Sequence, residues 1–306
     1  MNEVAITPRS FRTTPGPHHK ALTELQLTPR FPRVERPLSE EEMVALVSGC
    51  PALIVGIDNV SADVLDAGPL RVVVKYGSGL DNIDEAALEE RDVAFATTGS
   101  ANARSVAELA MGLVFALARG IALHDRIIRD GRWTRTQGVE LAGKRLGIIG
   151  YGAIGKELAQ IGTGCGFTVV AHDPYADTGD IEAVSLEELL ASSDVVSLHL
   201  PLTRETAGLI GRRELAFMRP SAFLVNTARG DLVDDRALAD ALSEQRIAGA
   251  AFDAFSEEPP GDSALVGLDN FISSPHAGAA TAEAVVRAGV MAAQLTARLL
   301  TETRAK

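Results

Sequence analysis

The 306-residue chain has little of what marks several protein classes. With two cysteines, Cys50 and Cys165, it has no disulfide framework, and both are expected as buried thiols in a reducing, cytoplasmic compartment. The N-terminal MNEVAITPRSF has no basic stretch followed by an apolar one, so no signal peptide is expected. No apolar run approaches the roughly 18 residues that cross a bilayer, and no membrane partner is expected. The balance of 29 basic against 41 acidic residues, net −12, argues against a general nucleic-acid surface. His18, His19 and His124 lack metal-ligand company, so no metal site is expected. The 46% of hydrophobic residues is ordinary for a globular protein, and the length favours two cores over one.

Short β-like runs at Val4 to Thr7, Leu53 to Val55, Arg71 to Lys75 and Val93 to Ala96 alternate with helical patterns and predict a small parallel α/β domain. Ser39 followed by Glu42 reads as a capping box opening a helix. A long helical pattern from Asn102 to about Asp130 leads into a second series of strands and helices, the order a doubly wound parallel sheet requires.

The segment KRLGIIGYGAIGKELAQ places Gly150, Gly152 and Gly155 after an apolar strand and at the head of an amphipathic helix. This is a dinucleotide fingerprint in its proper context: the first glycine allows the turn, the second lets a pyrophosphate approach, and the third lets helix and strand pack closely. The helix N-terminus, at Ala153 and Ile154, then offers free N–H donors to phosphate. A second strand ends at Asp173, about 18 residues beyond Gly155 and suited to bind a ribose diol. The residues after it, Pro174 to Asp180, contain no base for a 2′-phosphate, so NAD is expected over NADP.

Hydride transfer from such a dinucleotide to an anionic carbonyl compound needs a cation for the anion and a proton donor for the developing alkoxide. Arg229, at a strand end, has the planar fork a carboxylate accepts, and His276 can exchange a proton near neutral pH. Glu258 could fix the histidine tautomer. Backbone N–H groups of Gly77, Ser78 and Gly79 could form an anion-binding turn.

The ordered motifs GYGAIG with Asp173-Pro174, then Asn226 to Gly230 (NTARG), Asp253 to Pro259 (DAFSEEP) and Ser274 to Gly278 (SPHAG) resemble the D-2-hydroxyacid dehydrogenase family. Tyr76 to Asp84 and Asn102 to Glu108 are most similar to its phosphoglycerate dehydrogenase branch. The resemblance implies an NAD-binding Rossmann domain at 102–277 and a smaller flavodoxin-like substrate domain made of 1–101 and 278–306, together a cytoplasmic homodimer joined through the cofactor domain. It implies that Arg229, Glu258 and His276 are catalytic, and that Asp253 anchors the nicotinamide carboxamide. His199, Pro201, Thr206, Thr227, Ala228, His276 and Gly278 would line the cofactor, and Lys75, Tyr76, Gly77, Ser78 and Gly79 the substrate. Where that branch carries an arginine this chain has Lys75, which loses the bidentate fork for a phosphate. 3-Phosphoglycerate is therefore one candidate among small anionic D-2-hydroxy acids. Phosphonate-, phosphite- or formate-type chemistry on the same frame, or an NAD-sensing corepressor-like role, are the alternatives. No further domain is expected after the closing helix.

Overall fold

A computed structural model describes residues 2–303. The chain divides into two compact units, one of residues up to Asn102 with those from Ala280 onward, the other Ala103–Ala279.

In the first unit β1 (Asn2–Ile6), β2 (Leu27–Arg30), β3 (Ala52–Val55), β4 (Val72–Lys75) and β5 (Ala94–Thr97) form one parallel sheet in the order β2-β1-β3-β4-β5. That is the flavodoxin-like order. β3 and β4 are buried along their whole length, as strands covered on both faces must be. β2 has no counterpart in the sequence reading because Pro29 interrupts its pattern. It lies at the sheet edge, where a missing N–H costs least. The helix Glu40–Val47 starts as predicted: Ser39 Oγ accepts from Glu42 N–H at 3.3 Å, and Glu42 Oε2 accepts from Ser39 N–H at 2.9 Å. The closing helix Ala282–Glu302 belongs to this unit, burying Ala292, Ala293 and Leu300 with Val4, Ile54 and Val74. Gly289 makes this packing possible, because a Cβ there would lie 2.7 Å from the Cβ of buried His18.

The second unit holds β6 (Arg145–Ile149), β7 (Thr168–His172), β8 (Glu182–Ala183), β9 (Val195–Leu198), β10 (Phe223–Asn226), β11 (Gly249–Phe252) and β12 (Phe271–Ser273). All are parallel, in the order β8-β7-β6-β9-β10-β11-β12. The order reverses between β6 and β9, and ligands of such sheets bind at that switch point beyond the carboxyl ends of the strands. Cores lie on the two faces, one built around Leu198, Leu224, Leu238 and Phe252, the other around Ala110, Val114, Leu146 and Leu158. The long helix expected from Asn102 is two helices, Ala103–Arg119 and Ile121–Arg129, because Gly120 between them takes φ +59°. The stretch Gly99–Arg119 does have the length and apolarity of a membrane span, contrary to the sequence reading, yet more than half of it is buried.

Replacing Ser39 by alanine is expected to cost the first unit about 1 kcal/mol, read as a lower melting temperature. An unchanged melt would reject the cap as a stabilising element.

Candidate active site

The glycine fingerprint stands at the switch point, and each of its glycines answers a different demand. Gly150 takes φ +93°, and a Cβ on it would lie 2.6 Å from the carbonyl of His199 at the end of β9. At Gly155 a Cβ would lie 2.3 Å from Gly150 O, so only glycine lets the helix Ala153–Gly164 sit this close to the end of β6. A Cβ on Gly152 would meet nothing within 4 Å. The helix therefore opens onto clear space with the donors of Ala153, Ile154 and their turn pointing outward, a cradle that fits a pyrophosphate.

Asp173, at the end of β7, is fixed by three backbone donors: Tyr151 N–H to Oδ2 at 2.7 Å, and Tyr175 and Ala176 N–H to Oδ1 at 2.9 and 3.1 Å. Partial burial works against its charge, but these donors outweigh it and hold the carboxyl below its usual range. It is an anion at neutral pH with about one acceptor position left, on Oδ2, which fits a ribose hydroxyl, and its charge repels a 2′-phosphate. Pro174 follows it on the surface.

His199 ends β9 and is 9% exposed, with Nε2 2.8 Å from Ser197 Oγ. Burial pushes its pKa down to about 3, so it is a neutral ring and no proton donor near pH 7. Its Nδ1 and the hydroxyl of Thr227, at the end of the adjacent β10, are buried polar atoms without a partner among the described residues. An unpaired buried polar atom costs about 1–3 kcal/mol, and two at neighbouring strand ends fit a site that a ligand completes. Pro201 is exposed, and Thr206 spends its hydroxyl on Pro201 O at 2.8 Å and on Thr203 N–H at 2.7 Å, shaping its own loop.

Arg229, Glu258 and His276 come from the three loops beyond β10, β11 and β12, and Arg229 Nη1 donates to Ala228 O at 2.8 Å. Buried Asn226 folds the first loop, accepting from Ala228 N–H at 3.0 Å and donating to Arg229 O at 2.8 Å. Gly230 then runs so near the second that a Cβ would lie 2.0 Å from Ser256 N. Glu258 Oε1 accepts from Phe255 N–H at 3.0 Å, and His276 Nδ1 lies 2.9 Å from each Glu258 oxygen. Nδ1 thus carries the hydrogen toward the carboxylate and leaves Nε2 to face a reactant. The third loop hangs on Asp253, 2% exposed, whose Oδ1 accepts from Ser274 Oγ at 2.5 Å and Ala277 N–H at 2.8 Å, and whose Oδ2 accepts from Gly278 N–H at 2.8 Å. Of the roughly four acceptor positions of a carboxylate this leaves about one, on Oδ2, for a carboxamide. His276 itself takes φ +52°, a strained conformation that its N–H bonds to Asp253 O and Ser274 O maintain.

In the first unit the stretch from Lys75 onward differs from the sequence reading in three ways. Lys75 is 6% exposed, and its ammonium donates to Gly56 O and Asn82 Oδ1, turned inward. Gly77 N–H donates to Thr98 Oγ1 at 2.8 Å, so of the three anticipated anion donors only those of Ser78 and Gly79 have no partner among the described residues. The hydroxyl of Tyr76 is spent on Val285 O at 2.9 Å, and burial pushes its pKa up to about 12.

The sequence profile of the D-isomer specific 2-hydroxyacid dehydrogenase NAD binding domain matches residues 111–278, which carry all of the second unit's site. The chain belongs to the D-isomer-specific 2-hydroxyacid dehydrogenase family. It is 39% identical to the hydroxypyruvate reductase of Thermotoga maritima over 83% of this chain and 86% of that one. It is likewise 39% identical to the D-3-phosphoglycerate dehydrogenase of Methanocaldococcus jannaschii, over 86% of this chain but 52% of the relative. The chain spans about half the length of most of the curated relatives it matches, including a 41% identical D-3-phosphoglycerate dehydrogenase of Mycobacterium tuberculosis. The TT0316 protein of Thermus thermophilus superposes with a TM-score of 0.90 at 34% identity, over 98% of this chain and 97% of that one.

Within this member of the 2-hydroxyacid dehydrogenase family, sequence reasoning missed Asn226, Gly230 and Ser274 as individual residues, although each stands inside a motif that it did single out. Their roles are to fold and fasten loops, which no spacing of charged groups signals. Two outcomes test the site as built. Asp173→Ala is expected to weaken NADH binding and to narrow the preference for NADH over NADPH by about tenfold, read by fluorescence titration of both nucleotides. A wild-type protein that prefers NADPH would overturn the assignment of Asp173. Gly230→Ala is expected to cost about 3 kcal/mol or more in stability, since its Cβ would meet backbone rather than a flexible side chain; an unchanged melt would mean the two loops can part.

Proposed function

We propose that the protein is an NAD-dependent oxidoreductase that interconverts a small anionic 2-keto acid and its D-2-hydroxy acid. The observation that carries this reading is the His276–Glu258 pair beside the Arg229 turn, at the carboxyl edge of a sheet whose switch point has a dinucleotide cradle. Gly150, Gly152 and Gly155 with the first helical turn would take the pyrophosphate, Asp173 the ribose diol, and the free position on Asp253 the carboxamide. Bound NADH supplies the hydride to C2.

The chain's own residues manage the rest. Arg229 pairs its fork with the substrate carboxylate and fixes the orientation of the keto group. As negative charge grows on the C2 oxygen, His276 gives it the Nε2 proton and becomes neutral, keeping the Nδ1 hydrogen on Glu258. Glu258 stabilises the charged ring before transfer and holds one tautomer after it. The side chains of His276 and Glu258 are 47% and 40% exposed, so the ring recovers its proton from water, and oxidation runs the same steps backwards. We infer also that two copies pair through the second unit. Ile121, Ile128, Trp133 and Val139 lie exposed along one segment of it, and Trp133 is 87% exposed.

A panel of 2-keto acids assayed by NADH absorbance is expected to yield turnover with at least one compact acid; silence across the panel would reduce the protein to an NAD-binding one. His276→Asn is expected to lower kcat by about 10²–10⁴, and a wild-type rate would remove the histidine from the mechanism. Arg229→Lys keeps the charge but loses the fork, and should raise KM and lower kcat/KM by about tenfold. Sedimentation should find a dimer that Trp133→Glu weakens; a monomeric wild type would overturn the pairing.

A further inference from the structure

The loop that follows β4 is fastened at both ends by buried polar bonds inside the first unit. Lys75 closes its start, donating to Gly56 O beyond β3 and to Asn82 Oδ1 at the far side of the loop. Asn82 continues the bridge. Its Nδ2 donates to the carbonyls of Gly56 and Asp58, while its own carbonyl accepts from Val60 N–H at 2.9 Å. Asp58, 6% exposed, accepts from Leu38 N–H at 2.8 Å, which ties in the chain ahead of the helix Glu40–Val47. On the other side Thr98 N–H donates to Lys75 O at 2.9 Å, and Thr98 Oγ1 receives Gly77 N–H.

An ammonium buried this far costs several kcal/mol wherever it is not hydrogen-bonded, and swinging it outward would strand Gly56 O and Asn82 Oδ1 as well. Its position is therefore fixed by the fold and not by a ligand. What the loop leaves unpaired among the described residues are the consecutive N–H groups of Ser78 and Gly79, after Gly77 at φ +132°, where a side chain would be strained. Successive backbone donors form a concavity matched to one carboxylate oxygen, and the ammonium at the base of the same loop adds positive charge to it without leaving its own partners.

We infer that Lys75 and Asn82 are positioning residues: their buried bridge shapes the Ser78–Gly79 turn for a compact carboxylate, so the substrate is a small unphosphorylated 2-keto acid, a distal phosphate receiving no contact from Lys75. The substrate part rests on the oxidoreductase reading above; the bridge does not.

The test begins with acylation of lysines followed by mass spectrometry. Lys75 should react at least about tenfold more slowly than Lys20, whose side chain is 78% exposed, and oxamate should not change its rate. Rapid labelling that oxamate suppresses would make Lys75 a direct ligand and overturn the inference. Lys75→Met and Asn82→Asp should each raise KM for glyoxylate or hydroxypyruvate by about tenfold, with the Kd for NADH moving less than about twofold. A wild-type KM in the variants that fold would overturn it too, as would a higher kcat/KM for 3-phosphohydroxypyruvate than for hydroxypyruvate. If no acid is turned over, the oxidoreductase reading fails, while the labelling rates still decide whether Lys75 is a buried brace.

Discussion

Asp253 carries the largest share of the site's geometry. It follows a strand whose residues are all buried, and a side chain 2% exposed there needs hydrogen-bond donors around its oxygens. The chain supplies three, from Ser274, Ala277 and Gly278, and all three belong to the loop that bears His276. The hydrogen-bonding demand of one buried carboxyl group is thereby converted into the path of a loop. That path holds His276 at a strained φ and turns its Nδ1 to Glu258. The surface ion pairs of the molecule contribute far less, since exposed pairs are worth about 0–1 kcal/mol each.

The second constraint is steric. Four close approaches, at Gly150, Gly155, Gly230 and Gly289, bring backbone or ring so near that no side chain fits. The first two set the nucleotide cradle against the ends of β6 and β9, and the third sets the arginine loop against the glutamate loop. Gly152 differs in kind. Its missing Cβ leaves room open to solvent, which a bound pyrophosphate can use. The two histidines with strong claims on the chemistry are separated by the same logic of burial: His199 is held neutral inside, and His276 is exposed to exchange protons.

Much of this was legible in the sequence wherever local rules decide the structure. The parallel α/β alternation, the fingerprint with Asp173, the capping box at Ser39 and the three polar residues beyond successive strands follow from periodicity, turn chemistry and spacing. β2 was hidden because Pro29 breaks its pattern, and the two-residue β8 because Glu182 and Ala183 are both exposed and carry no apolar signal. Gly120 divided a helix whose apolar stripe runs on past it, since periodicity registers burial and not backbone dihedral angles.

The sequence by itself determined most of the strands and helices, which strand ends carry polar residues and which dinucleotide the chain suits, because each of these depends on residues close together along the chain. Only the tertiary structure decided where the polar groups spend their hydrogen bonds. Lys75 reads as a cation available to a substrate, yet the fold brings Gly56 and Asn82 to it and turns it inward. Gly77 reads as an anion donor, and the fold delivers Thr98 to its N–H. Both outcomes rest on partners that lie beyond other strands, Gly56 after β3 and Thr98 after β5, and the demand that a buried polar group be satisfied is met by whichever residue the packing brings within reach.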